Sequence, residues 1–520
     1  MSENKSRKFL IHGGILAMAA IIVRIIGMVY RIPLVNIIGS EGTGVYSIAY
    51  NIYAIMLILS ANALPSVASK MMAAKLATKE YKSANQIFNY SFLVAVISGG
   101  IAAAFMFFGA DFIESLYKGV PGVAIPIRVL APTVFFVSVL GVMRGFYQAQ
   151  GTMIPTSVSQ IIEQIINAIV SVAAGYILVN IYKNSENVAA YGAAGSTLGT
   201  CLGALVSLLF LMGIYAVYRP VFMRMVRRDK ISVLEPPKNV CREIIFTMIP
   251  IILSTTLYHA SSVIDDIMFS NMMAGSGINI KMDIGNYSSS YILLIGIPQG
   301  IATAMSISML PSVVSSYTIE DLSGVREKIQ KTIKTNMLIV IPSVIGLAVL
   351  GKPIIQLLFA SYDSNQGSMM LKIGAIAVLF YTLSTVTTSA LQGIDKVSVP
   401  VKYSAIALAV HIVLVFCLLE FTDLGIFALV IGNATFPVII FVLNYVALYK
   451  YIGYKQELLE SFGIPLICAV IMGVVCGFTY KGVYAASSSN IVSLIAAMAV
   501  AAVSYFGPIA VFVKKKLFRL

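Results

Sequence analysis

The segment ALPSVASKMM at residues 63–72 has a close counterpart in MLPSVVSSYT at residues 309–318. A second pair, YQAQGTMIPTSVSQI at 147–161 and ALQGIDKVSVPVKYSAI at 390–406, is separated by nearly the same distance, about 245 residues. Two matched motifs at a single offset predict an internal duplication that covers most of the chain.

Composition places the duplicated unit in a membrane. Hydrophobic residues make up 58% of the chain, charged residues 11%, and the mean hydropathy is +0.90, whereas soluble domains are about a quarter charged. One span needs about 20 mostly apolar residues, and the chain has room for about fourteen, which predicts an all-α polytopic membrane protein. Apolar stretches of this length exclude a β-barrel, whose strands alternate every second residue. The predicted spans are 9–30, 45–68, 86–110, 126–146, 155–180, 189–217, 244–273, 286–315, 335–350, 368–391, 401–419, 424–448, 461–480 and 489–513.

The duplication divides these spans into six, six and two. An even number of helices per repeat preserves orientation, so the two six-helix lobes would be parallel repeats about an axis along the membrane normal, with two extra helices. Transporters built in this way bind their substrate between the lobes and rock one lobe against the other. We predict an N-lobe at 1–218 (helices 1–6), a basic cytoplasmic linker at 219–243, a C-lobe at 244–450 (helices 7–12), and helices 13–14 with a basic tail at 451–520.

The net charge of +14 is explained by loop position. With the N-terminus inside the cell, the predicted cytoplasmic loops and both tails carry most of the 36 lysines and arginines, as the positive-inside rule requires. Basic loops then face anionic lipid head groups, so we expect membrane lipids and no nucleic acid as partners. A basic segment precedes the first span, as in a signal peptide, but the span is too long and contains Arg24, which indicates an uncleaved first helix.

A polar stripe runs along the fifth predicted span, PTSVSQIIEQIINAIVSV at 155–172. Five amides and hydroxyls recur at steps of three and four and so share one side of a helix. They are Ser157, Gln160, Gln164, Asn167 and Ser171. Glu163 lies beside them. The stripe either pins the helix to its neighbours or lines a watery cavity, and we favour a cavity wall that contacts a sugar.

Four charged residues fall well inside predicted spans, away from their ends: Arg24, Glu163, Asp265 and Asp266. Each costs roughly 2.5–3.5 kcal/mol at a helix centre, so such residues face a bundle interior or a cavity. Arg24 and Asp266 lie at similar depth on repeat-related helices, and His259 shares a helix face with Asp266. Arg24 and Asp266 form either a structural ion pair or an anion site with a competing carboxylate. The three carboxylates are also candidates for ion pairing or for cation coupling.

Two further patterns are assigned to packing and anchoring. Gly195, Gly199 and Gly203 recur at four-residue steps, which lets helices approach closely within the first lobe or, alternatively, across a dimer interface. Tyr46 and Tyr50 begin the second span, where tyrosines commonly anchor a helix at the membrane interface.

Catalytic and metal-binding patterns are missing. GLAVLGKP at 346–353 has the spacing of a phosphate-binding loop, but Pro353 replaces the required serine or threonine. The five cysteines include no C-x-x-C motif, so we expect neither a disulfide nor a metal site. We predict a protein that is not an enzyme and has no cofactor.

Four segments resemble the multidrug/oligosaccharidyl-lipid/polysaccharide (MOP) exporter superfamily. Within it, the resemblance is to the polysaccharide biosynthesis and stage V sporulation protein B family, which is related to the lipid II flippase MurJ. The segments are VRIIGMVYRIPLVNIIGSEGTGVYSIAY (23–50), LPSVASK (64–70), MRGFYQAQGTMIPTSVSQIIEQI (143–165) and IPQGIATAMSISMLPSVVSS (297–316).

The resemblance implies fourteen helices, two lobes, a central cavity, and transfer of undecaprenyl-diphosphate-linked sugars to the outer leaflet. Arg24 matches the R-x-x-G position of the family's first helix, where arginine meets the diphosphate. Arg31 lies one residue from a second family arginine, and Tyr46 lies near the place of a family acidic residue. Spans 45–68 and 286–315 lack the basic residues of the best-known flippase branch, so the resemblance is closer to the sporulation branch.

We therefore predict a flippase for a lipid-linked oligosaccharide that works by alternating access in the bacterial plasma membrane, with both termini cytoplasmic. Its predicted substrate-binding residues are Arg24, Arg31, Asn51, Gln160, Glu163, Gln164, Asn167 and His259. Coupling to Na⁺, H⁺ or the membrane potential is left open. We expect a monomer, with membership of an envelope-synthesis complex open. The alternatives are a cation-coupled drug or metabolite exporter of the same superfamily and a non-transporting partner in such a complex.

Overall fold

The computed structural model describes the backbone of residues 2–517, and side chains from residue 18 to residue 510 except residues 20, 21, 250, 251, 254, 258 and 307. The regular elements of this backbone are helical, with two π-helical segments at Tyr287–Leu293 and Leu459–Gly463. The all-α prediction is confirmed. The α-helices are α1 (Ser2–Ser60), α2 (Leu64–Ala77), α3 (Tyr81–Phe108), α4 (Ala110–Ser115), α5 (Ala124–Ala149), α6 (Ile154–Ile181), α7 (Val188–Arg228), α8 (Pro237–Met272), α9 (Ile280–Asn286), α10 (Leu294–Thr318), α11 (Leu322–Leu358), α12 (Ser364–Gly374), α13 (Ile376–Gly393), α14 (Ser398–Phe421), α15 (Ile426–Ile452), α16 (Ile464–Ser487) and α17 (Asn490–Leu517).

The number of membrane crossings is only partly defined by these helices. Within the described residues, 11 helical stretches are long and apolar enough to cross a membrane, or 12 if the bent pair α12 and α13 forms one span. One of the 11, Ile22–Ala77, has 56 residues, well over the roughly 20 that one crossing needs. The protein is thus a multi-pass membrane protein, and the count of about fourteen stays a prediction.

Helix α1 bends sharply at Gly39, and this bend is a correction to the predicted spans. The sequence predicted separate helices at 9–30 and 45–68, but the structure has one helical run broken only by Gly39, with φ 70° and ψ 179°. Glycine adopts this conformation without the steric cost that a Cβ atom would bring. Two helical arms therefore meet at one residue, with no intervening loop.

Contacts divide the chain into two compact units, one ending at Gly285 and the other beginning at Asn286. In the first unit, α6 packs along α7, α5 packs against α3 and α7, and α1 contacts α5, α6 and α7. Helix α8 also belongs to this unit, because it contacts α1, α2 and α3. The contact boundary thus differs from the predicted lobe boundary at 244, which stays a prediction. In the second unit, α13 packs against α10 and α15, and α16 packs against α11 and α17.

The predicted linker at 219–243 is mostly helical, because α7 continues to Arg228 and α8 begins at Pro237. The short segment between them, 229–236, is bound to the start of α3. Asp229 Oδ2 accepts a hydrogen bond from the backbone N–H of Lys82 at 2.8 Å, and Asp229 also accepts from the hydroxyl of Ser232. The Ser232 hydroxyl and then the Lys82 N–H hold the pKa of Asp229 well below its usual range. The carboxylate thus acts as a remote cap for the exposed N–H groups of α3.

The predicted glycine stripe packs α7 onto α6. A methyl group on Gly195, Gly199 or Gly203 would lie 2.6 Å from a backbone carbonyl oxygen of α6, closer than real Cβ atoms approach. The prediction that the stripe serves packing within the first lobe is confirmed.

Replacing Gly199 with alanine should therefore force α6 and α7 apart. We expect Gly199→Ala to lower the free energy of unfolding by about 1–3 kcal/mol, as overpacking does. The matched control is Gly213→Ala on the same helix, where a methyl group would meet nothing within 4 Å. That change should be neutral or stabilising by up to about 1 kcal/mol, because alanine favours helix. Thermal unfolding of both variants in detergent checks the pair, and equal melting temperatures would contradict the close-packing account.

Candidate functional site

The bend at Gly39 brings a cation onto two aromatic rings. The guanidinium carbon of Arg31, on the first arm of α1, lies 5.8 Å from the ring centroid of Tyr46 and 5.8 Å from that of Tyr50, both on the second arm. The two rings are stacked, with centroids 5.7 Å apart, and Tyr53 packs against Tyr50 at 5.5 Å. We call Tyr46, Tyr50 and Tyr53 the tyrosine cluster. It holds Arg31 by cation–π contacts.

The first arm of α1 also contacts the polar stripe of α6. Asn167 Nδ2 donates to the hydroxyl of Tyr30 at 3.3 Å, and Asn167 Oδ1 accepts from Ser171 Oγ at 2.8 Å. The side-chain amide of Gln164 lies against α1 at Gly27, where an added methyl group would be 3.1 Å from Gln164 Nε2. These polar contacts join α6 to the helix that carries Arg31.

The stripe faces the protein interior, and the apolar side of α6 faces outward. Ser157, Asn167 and Ser171 are buried, whereas Ile165 and Ile169 are exposed. This is the arrangement that a helix in lipid requires, because lipid accepts apolar side chains and leaves polar ones unsatisfied. The buried members support the packing interpretation of the stripe.

Gln160 and Gln164, by contrast, are only half-buried. The buried Oε1 of Gln160 has no hydrogen-bond partner in the described part of the chain. These two glutamines are the members of the stripe that can still contact a ligand.

Glu163 forms an ion pair with Arg144, which comes from α5. Arg144 Nη2 lies 2.6 Å from Glu163 Oε2, with side-chain exposures of 14% and 26%. Arg144 also donates to Ser159 Oγ at 3.0 Å and to Ser207 Oγ at 3.3 Å, so it joins α5, α6 and α7.

A buried carboxylate of α8 binds the residue next to Tyr50. Asn51 Nδ2 donates to Asp266 Oδ2 at 2.8 Å, and Asp265 and Asp266 are both buried. His259 and Arg24 are exposed and make further interactions. The Asn51–Asp266 bond gives this aspartate a neutral partner, and an Arg24–Asp266 ion pair stays a prediction.

Sequence reasoning gave Arg144, which lies near a helix end, no role in the site, and it predicted only membrane-interface anchoring for Tyr46 and Tyr50. The spacing between Arg31 and Tyr46 signals no contact on a straight helix, so only the bend could reveal it. Within the residues whose side chains are described, no group of three or more histidines, cysteines and acidic residues could hold a metal ion.

Two family models match this multi-pass helical protein. The model of the polysaccharide biosynthesis protein family matches residues 10–317, and that of the MatE family matches residues 250–417. The first match covers more than half of the chain, so the chain belongs to the polysaccharide biosynthesis protein family.

Named relatives agree with this assignment. The chain is 25% identical over 474 residues to the lipid II flippase MurJ of Bacillus subtilis, covering 88% of this chain and 86% of the relative. It is 23% identical over 492 residues to stage V sporulation protein B of the same organism, covering 93% and 92%. A solved structure of MurJ in an inward closed conformation superposes with a TM-score of 0.68 at 16% identity, covering 96% of this chain and 99% of that one, which shows the shared fold.

Breaking the Arg144–Glu163 pair should destabilise the fold. We expect Arg144→Gln or Glu163→Gln alone to lower the free energy of unfolding by about 1–3 kcal/mol, because each leaves a partly buried charge without its partner. The double variant should be less destabilised than the sum of the two, which a double-mutant cycle measures by thermal unfolding.

The control is the Arg128–Asp111 pair, at 2.5 Å but with side-chain exposures of 38% and 73%. Exposed pairs contribute little, so the same cycle there should give a coupling of less than about 1 kcal/mol. Equal coupling energies at the two pairs would argue against a structural role specific to Glu163.

Proposed function

We propose that this protein is a flippase that moves a polyprenyl-diphosphate-linked oligosaccharide, of the lipid II or polysaccharide repeat-unit kind, across the bacterial plasma membrane by alternating access. The observation that supports this most directly is the contact of Arg31 with the tyrosine cluster. A carboxylate partner would neutralise an arginine, whereas aromatic rings hold it and leave its charge available to an anion. The similarity to MurJ and to stage V sporulation protein B supports the choice of substrate class.

The diphosphate would bind to Arg24 and Arg31. These residues are seven positions apart on α1, so they lie on nearly the same helix face about 10 Å apart along the axis. Arginine forms paired hydrogen bonds to phosphate oxygens, which gives orientation as well as affinity. The tyrosine cluster positions Arg31. Arg24 is exposed and lies about two helical turns before Arg31 on α1.

The sugar would contact amide groups on α6 and on the second arm of α1. Gln160 and Gln164 are half-buried, and the buried Oε1 atom of Gln160 has no hydrogen-bond partner in the described part of the chain. Asn51 lies beside Tyr50 and is bound to Asp266, so a sugar hydroxyl would compete for it. Asn167 and Glu163 are engaged with Tyr30 and Arg144, and we assign them to shaping the site. His259, which is exposed on α8, completes the proposed set.

Energy for outward movement would come from the membrane potential. Moving one charge through an inside-negative potential is worth about 2.3 kcal/mol per 100 mV, and a diphosphate carries more than one negative charge. Asp265 and Asp266 are the proposed groups for Na⁺ or H⁺ coupling of the return step. The proposed state is a monomer with both termini in the cytoplasm, alone or within an envelope-synthesis complex.

A second candidate function is a cation-coupled exporter of drugs or metabolites. Two observations favour it: the MatE family model matches residues 250–417, and Asp265 and Asp266 are both buried on α8 within that range. Buried acidic residues in membrane spans commonly bind substrate cations or protons. In this alternative, Arg31 would only balance charge.

Leaflet accessibility of a labelled lipid-linked disaccharide in proteoliposomes tests the flippase. We expect wild type to expose the label on the far leaflet under an imposed potential. Arg31→Ala should slow exposure about 10- to 100-fold, since a hydrogen-bonded charge contributes roughly 1.5–3 kcal/mol. Arg24→Ala should have a similar effect. Arg31→Lys should fall between, because lysine keeps the charge but loses the planar contact with both rings.

Lys118→Gln is the matched control, because it removes one positive charge from an exposed loop outside the site. It should leave the exposure rate unchanged. If folded wild-type protein exposes no label, the flippase proposal is contradicted. The cation-coupled exporter would then be the better account, and Asp266→Asn should abolish ion-driven export of a lipophilic cation. If the double variant Arg24→Ala, Arg31→Ala exposed the label as fast as wild type, the proposed anion site would be wrong.

A further inference from the structure

A concave surface lies outside the region described above, on the side of α3 that faces the end of α7. It is a groove of about 790 Å³ in the first unit. Five of its lining residues follow one face of α3, beginning at Lys82 and ending at Val96, and Val226 and Leu234 form the facing wall. Along α3 the groove extends for about 20 Å, at 1.5 Å per residue.

The lining changes from polar to apolar along that length. Lys82, Asn85 and Asn89 line the end near the start of α3, and Phe92, Leu93 and Val96 line the deeper end. Leu93 is 46% exposed and Leu234 is 57% exposed, so the apolar part opens outward. A polar head followed by an apolar wall is the pattern that an amphiphile would match.

The polar side chains at the end of the groove near the start of α3 are available to bind a ligand. Within the described residues, the side chains of Lys82, Asn85 and Asn89 make no hydrogen bond or ion pair with the protein. Their neighbour Gln86, in contrast, is bound on both sides to the backbone of Glu235, at 2.6 and 3.3 Å. One ammonium and two amides therefore remain free to bind a ligand's polar head.

The basic residues near the start of α3 favour an anionic ligand. Lysines and arginines gather here at the last turns of α2 and α7, where Lys75, Arg227 and Arg228 lie. The nearby carboxylates are bound: Asp229 caps α3, and Glu80 and Glu235 lie 3.2 and 3.9 Å from Lys75. A groove at the basic end of membrane helices is a recognised setting for anionic lipid head groups.

We propose that this groove binds one anionic phospholipid from the leaflet that meets the basic ends of α2, α3 and α7. Its phosphate contacts Lys82, and its glycerol and head-group oxygens contact Asn85 and Asn89. One acyl chain lies along Phe92, Leu93 and Val96. Because the 229–236 segment supplies one wall and also caps α3, the bound lipid would hold the end of α7 against α3.

The absence of tryptophan from the chain makes a direct test available. Phe92→Trp places one fluorophore in the groove, and the full-length protein is reconstituted with phosphatidylcholine and phosphatidylglycerol brominated in turn on their acyl chains. We expect brominated phosphatidylglycerol to quench more strongly, with a relative association constant of about five, since one basic contact with a lipid head contributes roughly that factor. Phe105→Trp, 48% exposed at the other end of α3, should give a ratio near one.

Two charge variants in the Phe92→Trp background identify the cause. Lys82→Gln should reduce the ratio to near one, and Asn89→Ala should reduce it in part. Lys230→Gln removes the same charge from an exposed position on the neighbouring segment and should leave the ratio unchanged. Quenching by phosphatidylcholine in each variant reports that the helix is still folded and in lipid.

Any one of four outcomes would overturn the proposal. Lys82→Gln could retain the preference, Lys230→Gln could lose it equally, or the Phe105→Trp reporter could show the same preference as Phe92→Trp. Displacement of brominated phosphatidylglycerol by a small fraction of polyprenyl phosphate would assign the groove to the tail of a polyprenyl lipid and would likewise overturn it. None of these measurements depends on translocation, so the test is independent of the proposed flippase activity.

Discussion

The backbone conformation of Gly39 is the constraint on which the candidate site depends. Its φ of 70° lets α1 turn without a loop, and the turn places Arg31 over Tyr46 and Tyr50. The second arm is then fixed close to α9, where a methyl group on Gly44 would lie 2.0 Å from the carbonyl oxygen of Lys281. The same arm carries Asn51 to Asp266. One glycine therefore positions a cation, its aromatic support and a buried carboxylate contact.

Charged side chains inside the first unit have two kinds of partner. Glu163 and Arg144 form an ion pair with further hydrogen bonds to Ser159 and Ser207, which offsets the cost of removing both from water. Arg31 is placed differently, against rings that stabilise it by their quadrupoles and leave its net charge unbalanced. The first arrangement suits a fixed structural joint. The second suits a group that meets an anion for part of a cycle.

Periodicity predicted the faces of the helices well, because a spacing of three and four residues defines a side of a helix wherever that helix lies. The stripe of α6 is indeed one face, and the glycines of α7 meet α6. Periodicity could not predict which residues contact that face, because this depends on which helix packs against it. The partner of Glu163 is on α5. The rings that hold Arg31 lie beyond the bend at Gly39, where the sequence predicts a loop between two separate spans. The lobe boundary and the number of spans stay predictions for the same reason, since both depend on how long helices divide.

Charge balance bears on the choice between the two candidate functions. The sequence places one arginine and three acidic residues inside predicted spans, an excess that would favour a cationic substrate. The contacts alter that comparison, because Arg144 compensates Glu163, and Arg31 lies over the rings of the tyrosine cluster. Among the residues considered for the site, Arg24, Arg31 and Arg144 are then set against Glu163, Asp265 and Asp266, and Asp266 is hydrogen-bonded to Asn51. Glu163, on α6, is paired with Arg144, whereas Arg31, on α1, contacts aromatic rings, so a positive charge lies beside the tyrosine cluster. An anionic head group would meet attraction there, whereas a cation would have to reach the buried aspartates of α8.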